Sequence, residues 1–201
     1  MSELVTGLVL AGGRGSRMGG LDKGLERFKG EPMAFRAVLR LMPQVRETVI
    51  NANRNLGAYE NFGVEVVMDT IEGYQGPLAG FLAGLAVVST PYLQAVPCDV
   101  PNFPADLVSR LLQAAEAADA PLAMPVTVEA DGRRQVHPVF LLMRADVHDS
   151  LIHYVTKGGR KIDEWTKTLN ALEVEFPDSQ AFFNVNTIEE LKELEGRGSA
   201  G

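Results

Sequence analysis

The sequence predicts an α/β fold, with a mostly parallel β-sheet flanked by helices and an antiparallel strand pair in the second half. Through residues 1–118, short apolar runs rich in β-branched residues alternate with longer segments of helical periodicity. Several of these runs end in polar residues, which is typical of a parallel sheet that binds a ligand at one edge. Further on, the turn signal Asp131-Gly132 separates two apolar runs and favours an antiparallel pair.

The composition indicates one globular domain. The 201 residues can bury a sizeable core, and 46% hydrophobic with 22% charged residues argue against disorder and a membrane class. We expect a single domain over residues 1–196 and a disordered tail at 197–201. The net charge of -7 argues against a nucleic-acid polymer as partner. With no long apolar segment and one cysteine, Cys98, we expect a cytoplasmic protein without membrane contact or internal disulfide.

The first strand leads into a glycine-rich loop. Residues 8–10 are an apolar run, and residues 11–24 carry six glycines with the cations Arg14, Arg17 and Lys23. Glycines let backbone amides approach a ligand closely, and fixed cations attract anions, so we predict a phosphate-binding loop. It is not a P-loop, because no Ser or Thr follows the lysine, and Met18 replaces the third glycine of a dinucleotide fingerprint.

Three further strands are predicted in the first half, at residues 47–51, 64–68 and 92–96. Helices are predicted between and after them, at residues 32–43, 77–88 and 104–118. Gly80 and Gly84 in the second of these helices indicate close packing against the sheet or a ligand.

Polar residues follow the predicted strands where each one ends. If the strands are parallel, one rim collects Ala11, Gly12, Asn51, Asp69 and Asp99. Asp99 is the best carboxylate for a hard ion such as Mg²⁺, although an Asp at this place could also cap the turn before Pro101. Asp69 and Asn51 have the same two interpretations, as ligands or as turn residues.

The second half contains residues 121–129 and 136–144 as the predicted antiparallel pair. Helices at 147–156 and 163–169 flank a cationic loop, and strands are expected at 172–176 and 182–186. A capping box, Thr187 with Glu190, predicts a last helix to about residue 194. Cys98 and His137 are interpreted as structural residues. The pairs Arg133-Arg134 and Arg160-Lys161 are either solvated charges or ligands for an anionic second substrate.

Several segments together resemble the molybdenum cofactor guanylyltransferase family. In the loop these are residues 10–13 (LAGG), 17–20 (RMGG) and 22–25 (DKGL). Beyond the loop they are residues 49–54 (VINANR), 76–80 (GPLAG), 97–99 (PCD) and 183–187 (FNVNT). The resemblance therefore extends over nearly the whole chain.

The resemblance implies a Rossmann-like nucleotidyltransferase that joins GMP from Mg-GTP to molybdopterin and releases pyrophosphate. The nucleotide-binding half would be about 1–118 and the acceptor-binding half about 119–196. The expected GTP ligands are Leu10, Ala11, Gly12, Gly13, Lys23, Asn51, Asp69 and Asp99. The expected catalytic residues are Asp99, which also holds Mg²⁺, Lys23 and Arg17. The expected molybdopterin ligands are Asn184, Asn186, Arg160 and Lys161, and molybdoenzymes with cofactor-maturation proteins are the expected further partners.

Three other functions compete with this interpretation. The related cytidylyltransferases resemble Leu-Ala-Ala-Gly in the loop, whereas this chain has Gly12-Gly13 after Ala11. Sugar-1-phosphate nucleotidyltransferases have a longer, proline-containing spacer before the lysine, which is absent between Met18 and Lys23. A nucleotide-binding regulatory or carrier module would bind GTP without releasing pyrophosphate.

Overall fold

The structure is a computed structural model that describes residues 2–12, 22–71, 76–129 and 131–185. Its strands are β1 (Ser2–Leu10), β2 (Arg27–Phe28), β3 (Glu31–Pro32), β4 (Val45–Asn51), β5 (Glu65–Val67), β6 (Tyr92–Pro97), β7 (Leu122–Val128), β8 (Arg134–Val136), β9 (Leu142–Arg144) and β10 (Leu172–Phe176). Its α-helices are α1 (Met33–Leu41), α2 (Leu56–Glu60), α3 (Pro77–Val87), α4 (Leu107–Ala118), α5 (His148–Thr156) and α6 (Ile162–Thr168). Short 3-10 helices cover Lys23–Leu25, Met42–Gln44, Ala145–Val147 and Ser179–Phe182.

The main sheet has the strand order β10-β7-β9-β6-β1-β4-β5, and β8 pairs with β7. β1 is parallel to both β4 and β6, β4 is parallel to β5, and β10 is parallel to β7. β9 is antiparallel to both of its neighbours, β6 and β7. The predicted parallel sheet and the predicted antiparallel pairing are therefore both confirmed, and six strands point the same way.

The register brings the carboxyl ends of the central strands to one level. Leu10, the last residue of β1, lies beside Asn51 of β4 and Pro97 of β6. Asn51 in turn lies beside Val67, the last residue of β5. The polar residues that follow these strands therefore share one rim of the sheet.

The two faces of the sheet are covered by different helices. Val9 packs into one core cluster with residues of α1 and α4, whereas its neighbour Leu8 packs into a second cluster with residues of α3, α5 and α6. This alternation follows from the two-residue period of a strand. Both clusters also contain residues from both halves of the chain, for example Phe140 in the first and Trp165 in the second. None of the helices in the described part of the chain has the length and hydropathy that crossing a membrane requires.

Helix α3 approaches the sheet very closely. A Cβ atom on Gly84 would lie 2.7 Å from Leu8 Cδ2 and 2.9 Å from Leu93 Cδ2. A Cβ atom on Gly80 would lie 2.5 Å from Leu10 Cδ2. The close packing predicted from the two glycines is confirmed, and the contact is with strands of the sheet.

Two predictions about the second half are wrong in detail. The run 136–144 is not one strand, since β8 and β9 are separate and residues 137–141 run between them. The strand predicted at 182–186 is absent over residues 182–185: Phe182 ends a 3-10 helix that begins where the Asp178 side chain accepts a hydrogen bond from Gln180 N, and residues 183–185 have no regular structure. The predicted last helix and tail lie outside the described residues.

Candidate active site

The rim of the sheet forms one wall of a cleft of about 850 Å³. The described residues predicted to bind GTP all line it, and they are Leu10, Ala11, Gly12, Lys23, Asn51, Asp69 and Asp99. The convergence expected from chain order is therefore present in the structure. Gly13 and Arg17 lie outside the described residues.

Lys23 and Asp99 form an ion pair on this wall. Lys23 Nζ donates to Asp99 Oδ2 at 2.7 Å, and the two side chains are 21% and 19% exposed. Asp99 is placed there by β6, which ends at Pro97, and Lys23 by the short helix after the glycine loop. A cation and a carboxylate are thus presented together to a ligand in the cleft, the first for anionic oxygens and the second for a metal ion or a donor.

A second polar group surrounds Asp69. Asn51 Nδ2 donates to Asp69 Oδ1 at 2.9 Å, and Asn53 Nδ2 donates to Asp69 Oδ2 at 2.8 Å. Asn53 Oδ1 also accepts a hydrogen bond from Asp69 N at 2.8 Å. Because both carboxylate oxygens are held, the orientation of Asp69 is fixed before any ligand binds. Asn53 was not among the predicted ligands, although it lies in the VINANR segment that supports the family resemblance.

Gly12 is required by this polar group. A Cβ atom at position 12 would lie 2.9 Å from both Asn51 Oδ1 and Asn53 Nδ2. Such distances are shorter than van der Waals contact, so any side chain would displace the two amides. Gly12 therefore leaves the room that the two amides holding Asp69 need.

The second wall of the cleft comes from residues 119–185. Because β9 runs antiparallel to β6, its amino end reaches the same rim as the carboxyl ends of the parallel strands. Residues 137–140, which precede β9, are therefore part of the wall. This wall is lined by Glu129, Arg133, Gln135, Val136, His137, Pro138, Val139, Phe140, Ser179, Gln180, Phe182, Phe183 and Asn184.

Asn184 is brought next to the rim by a backbone contact. Val185 N donates to Asp99 O at 2.9 Å, so the segment that carries Asn184 is attached directly beyond β6. Val185 itself is buried with Phe28 and Met33. Asn186, the second asparagine of the FNVNT segment, lies outside the described residues.

The predicted cations of the α5–α6 loop are not at the cleft. Arg160 and Lys161 are absent from its lining, and Lys161 Nζ pairs with Glu164 Oε1 at 3.0 Å. Tyr154 Oη also donates to Lys161 O, so the contacts of this loop are with α5 and α6. The second wall contains Arg133 instead, from the pair whose function the sequence left open, while Arg134 pairs with Glu173.

His137 and Cys98, which were interpreted from the sequence as structural residues, both lie in the lining of the cleft. His137 stacks on Phe182 with ring centroids 4.5 Å apart, and its Nε2 shares a hydrogen bond with Thr127 Oγ1 at 2.9 Å. Burial lowers the pKa of His137 to about 4, so the ring is neutral at pH 7. Burial, together with the charge of Asp99, raises the pKa of the Cys98 thiol, which therefore stays protonated.

The carboxylates of the site fit a magnesium ion that is shared with phosphate oxygens. Within the described ranges there is no group of three or more His, Cys, Asp or Glu side chains that could hold a metal by themselves. Mg²⁺ commonly uses one or two carboxylates and completes its shell with substrate phosphates and water. Asp99, a hard oxygen donor facing the cleft, meets that requirement.

Comparison with known proteins identifies the class and then the family. Residues 7–172 match the family model described as "MobA-like NTP transferase domain", so the sheet and its cleft are those of a nucleotidyltransferase. A protein named molybdenum cofactor guanylyltransferase from Cupriavidus necator is 55% identical over 193 residues, which are 96% of this chain and 97% of that protein. The chain belongs to the molybdenum cofactor guanylyltransferase family.

Solved structures share the fold. Molybdopterin-guanine dinucleotide biosynthesis protein A from Archaeoglobus fulgidus matches with a TM-score of 0.79 at 22% identity, over 98% of this chain and 100% of that one. The 2-C-methyl-D-erythritol 4-phosphate cytidylyltransferase from Thermus thermophilus matches with a TM-score of 0.72 at 14% identity, over 96% and 98%. The predicted Rossmann-like nucleotidyltransferase fold is confirmed.

Proposed function

We propose that this nucleotidyltransferase transfers GMP from GTP to the molybdopterin form of the molybdenum cofactor, in the cytoplasm, and releases pyrophosphate. The observation that carries the proposal is the Lys23–Asp99 pair, which lies on the first wall of a cleft whose second wall comes from residues 119–185. The names of relatives at 55% identity supply the substrates. The free thiol of Cys98 agrees with a reducing compartment.

The first wall, from the half at about 1–118, would hold the nucleotide. The backbone N–H of Gly12 and the Lys23 ammonium suit the triphosphate, since both present hydrogen-bond donors to anionic oxygens. The Asp69 carboxylate accepts hydrogen bonds, and guanine offers two neighbouring donors on its Watson–Crick edge. Asn51, which is 3% exposed, orients that carboxylate by donating a hydrogen bond to it from the buried side.

The second wall, from the half at about 119–196, would hold the acceptor. Arg133 supplies a planar guanidinium for the acceptor's phosphate, and Asn184 supplies an amide next to Asp99. Phe183, 45% exposed, offers an aromatic surface to a flat heterocycle. Arg160 and Lys161, which were also expected to bind the acceptor, do not line the cleft.

The transfer reaction requires the protein to align the two substrates and does not require a covalent intermediate with the protein. An oxygen of the acceptor phosphate attacks the α-phosphorus of GTP, the bond to the β-phosphate oxygen breaks, and pyrophosphate leaves with the electron pair. Lys23 would stabilise the charge that develops on the leaving group. Mg²⁺ held by Asp99 would supply further charge neutralisation on the phosphates.

The first test measures pyrophosphate release with GTP, CTP, ATP and UTP in turn, each with magnesium, with and without molybdopterin. Release confined to GTP with molybdopterin is expected. Activity with CTP would overturn the base assignment and favour the cytidylyltransferase alternative. GTP binding without release from any nucleotide would favour the carrier module.

The second test separates catalysis from binding with Asp99→Ala. We expect turnover to be lost, while GTP affinity measured without magnesium remains within a few-fold of the wild-type value, since Asp99 acts on the metal-bound phosphates. Turnover that survives in Asp99→Ala would refute the metal role of this residue.

A further inference from the structure

Directly before Lys23 in the sequence lies a buried carboxylate that the proposed chemistry does not use. The Asp22 side chain is 5% exposed, and Tyr59 Oη donates to its Oδ1 at 2.7 Å. Asn55 Nδ2 donates to Oδ2 at 2.8 Å, and Arg54 Nε lies 3.5 Å from the same oxygen. A buried carboxylate is unfavourable unless its oxygens are paired, and here both are.

Tyr59 is suited to hold this carboxylate. Its side chain is fully buried on the short helix α2, and Phe62 packs edge-on against its ring with the two ring centroids 5.7 Å apart. Burial, followed by the hydrogen bond to Asp22, raises the pKa of Tyr59, so the hydroxyl stays protonated and donates a hydrogen bond to the carboxylate.

The residue after Lys23 is held against the same hydroxyl. A Cβ atom on Gly24 would lie 2.5 Å from Tyr59 Oη, 3.2 Å from Ala34 Cβ and 3.3 Å from Ala11 Cβ. Both chain neighbours of Lys23 therefore contact Tyr59: Asp22 through a hydrogen bond and Gly24 through close packing. The backbone of Lys23 has little freedom to shift, and its Nζ reaches Asp99 from this fixed base.

We propose that Asp22 and Tyr59 are positioning residues for the transfer reaction, which act through Lys23 by fixing where its ammonium group meets the phosphates. The inference rests on the proposed function only in that Lys23 contacts the triphosphate. A displacement of about 1 Å at a reacting centre costs roughly a hundredfold in rate. We call the hydrogen-bonded pair of Asp22 and Tyr59 the clamp. It therefore contributes to the rate of nucleotide transfer as well as to folding.

The test is a double-mutant cycle between Tyr59→Phe and Lys23→Ala. Tyr59→Phe keeps the ring and removes the hydroxyl, and with it the hydrogen bond to Asp22 and the contact with Gly24. We expect it to lower kcat roughly tenfold and to raise the KM for the nucleotide no more than several-fold, and to have no further effect once Lys23→Ala is present. Multiplying effects in the double variant would overturn the proposal, because they would show that Tyr59 acts independently of Lys23.

A matched control separates positioning from stability. Thr6 is 1% exposed on β1, away from the rim, and its hydroxyl bonds to Glu47 Oε1 and Thr90 Oγ1. Thr6→Val removes a buried hydroxyl as Tyr59→Phe does, and we expect a similar loss of thermal stability with kcat unchanged. If Thr6→Val loses as much kcat as Tyr59→Phe, the clamp contributes only to folding and the positioning role is refuted.

Tripolyphosphate binding tests the positioning role independently of which nucleotide and acceptor the enzyme uses. Tripolyphosphate carries no base, so its affinity reports the phosphate site alone. We expect Tyr59→Phe to weaken tripolyphosphate binding several-fold in the wild-type background and not in Lys23→Ala. If pyrophosphate release fails with every nucleotide while this coupling is observed, the proposed function falls and the positioning role stands. Equal weakening in both backgrounds would refute the positioning role.

Discussion

At the scale of single residues, the site depends on side chains that hold other side chains. Asp69 is oriented by Asn51 on one oxygen and by Asn53 on the other. We expect Asn53→Ala to raise the KM for the nucleotide about tenfold and to weaken the preference for guanine, since a hydrogen bond to a charged group contributes about 1.5–3 kcal/mol. Steady-state kinetics with GTP and ITP, which lacks the 2-amino group, would measure both effects.

The control for that variant is Asn61→Ala, because Asn61 is exposed at the end of α2, outside the cleft lining. It should leave the KM unchanged. An unchanged ratio of GTP to ITP activity in Asn53→Ala would contradict a role for the fixed carboxylate in reading the base.

His137 makes stability depend on pH in a defined window. Its pKa is about 4 in the folded chain and 6.5 when unperturbed, so between these values the unfolded chain binds a proton that the folded chain does not. Stability from this group is present above about pH 6.5 and is lost as the pH falls towards 4. One pKa unit corresponds to about 1.4 kcal/mol, and partial exposure of the ring limits the loss to on the order of 2 kcal/mol.

The measurement is urea unfolding at pH 7 and pH 4.5. We expect His137→Gln to lose less stability on acidification than the wild-type chain. His153→Gln, at an exposed histidine on α5, should lose as much as the wild type. If all three proteins lose the same stability, His137 is not the group that titrates.

The sequence was sufficient to predict which residues lie together at the rim. It was not sufficient to predict their hydrogen-bond partners. Asn51, Asp69 and Asp99 each follow an apolar run, and parallel strands align their ends, so chain order was sufficient. The bond between Asn53 and Asp69 joins two loops that only the register of β4 and β5 brings together. The burial of Asp22 likewise depends on how α2 packs, which no local pattern records.

At the scale of elements, α3 offers two glycines with different neighbours. Gly84 faces the core residues Leu8 and Leu93, whereas Gly80 faces Leu10 and Asn51, which line the cleft. Alanine gains about 1 kcal/mol of helix propensity over glycine, and overpacking costs about 1–3 kcal/mol. We expect both alanine variants to be destabilised by about 1 kcal/mol, and only Gly80→Ala to raise the KM for the nucleotide several-fold.

Thermal melts and nucleotide titrations of the two variants, side by side, would check this expectation. The two substitutions are chemically identical on one helix, so each serves as the control for the other. A KM that rises equally in both would indicate a general displacement of α3 and not a contact with Asn51.

The elements that sequence reasoning missed lie around β9. Its three residues sit between β6 and β7, and its direction brings residues 137–140 to the rim. An apolar run of nine residues gives no sign that it will divide into an edge strand and a central strand, because both have the same two-residue period. Residues 137–140 of the second wall were therefore not predicted, whereas Asn184 and Arg133 in the same wall were candidates from the sequence.

At the scale of the whole molecule, residues 1–118 and residues 119–185 share their cores. Trp165, the one tryptophan of the chain, packs in a cluster with Leu8 and Phe81 from the first half. We therefore expect the chain to unfold as a single cooperative unit. Tryptophan fluorescence and far-UV circular dichroism should give coincident urea transitions, and separated midpoints would show that the halves unfold independently.

The position of β9 has a consequence for how the chain is made. β1, β4, β5 and β6 are complete once Pro97 has been synthesised, yet one edge of β6 has no partner until Leu142 arrives. At about 5–20 residues per second, the ribosome takes on the order of several seconds to add the intervening stretch. During that interval the nascent chain exposes the edge of an apolar strand, which is a template for pairing with other chains. The central strand of the finished enzyme is thus an open edge during translation, and the three residues of β9 close it.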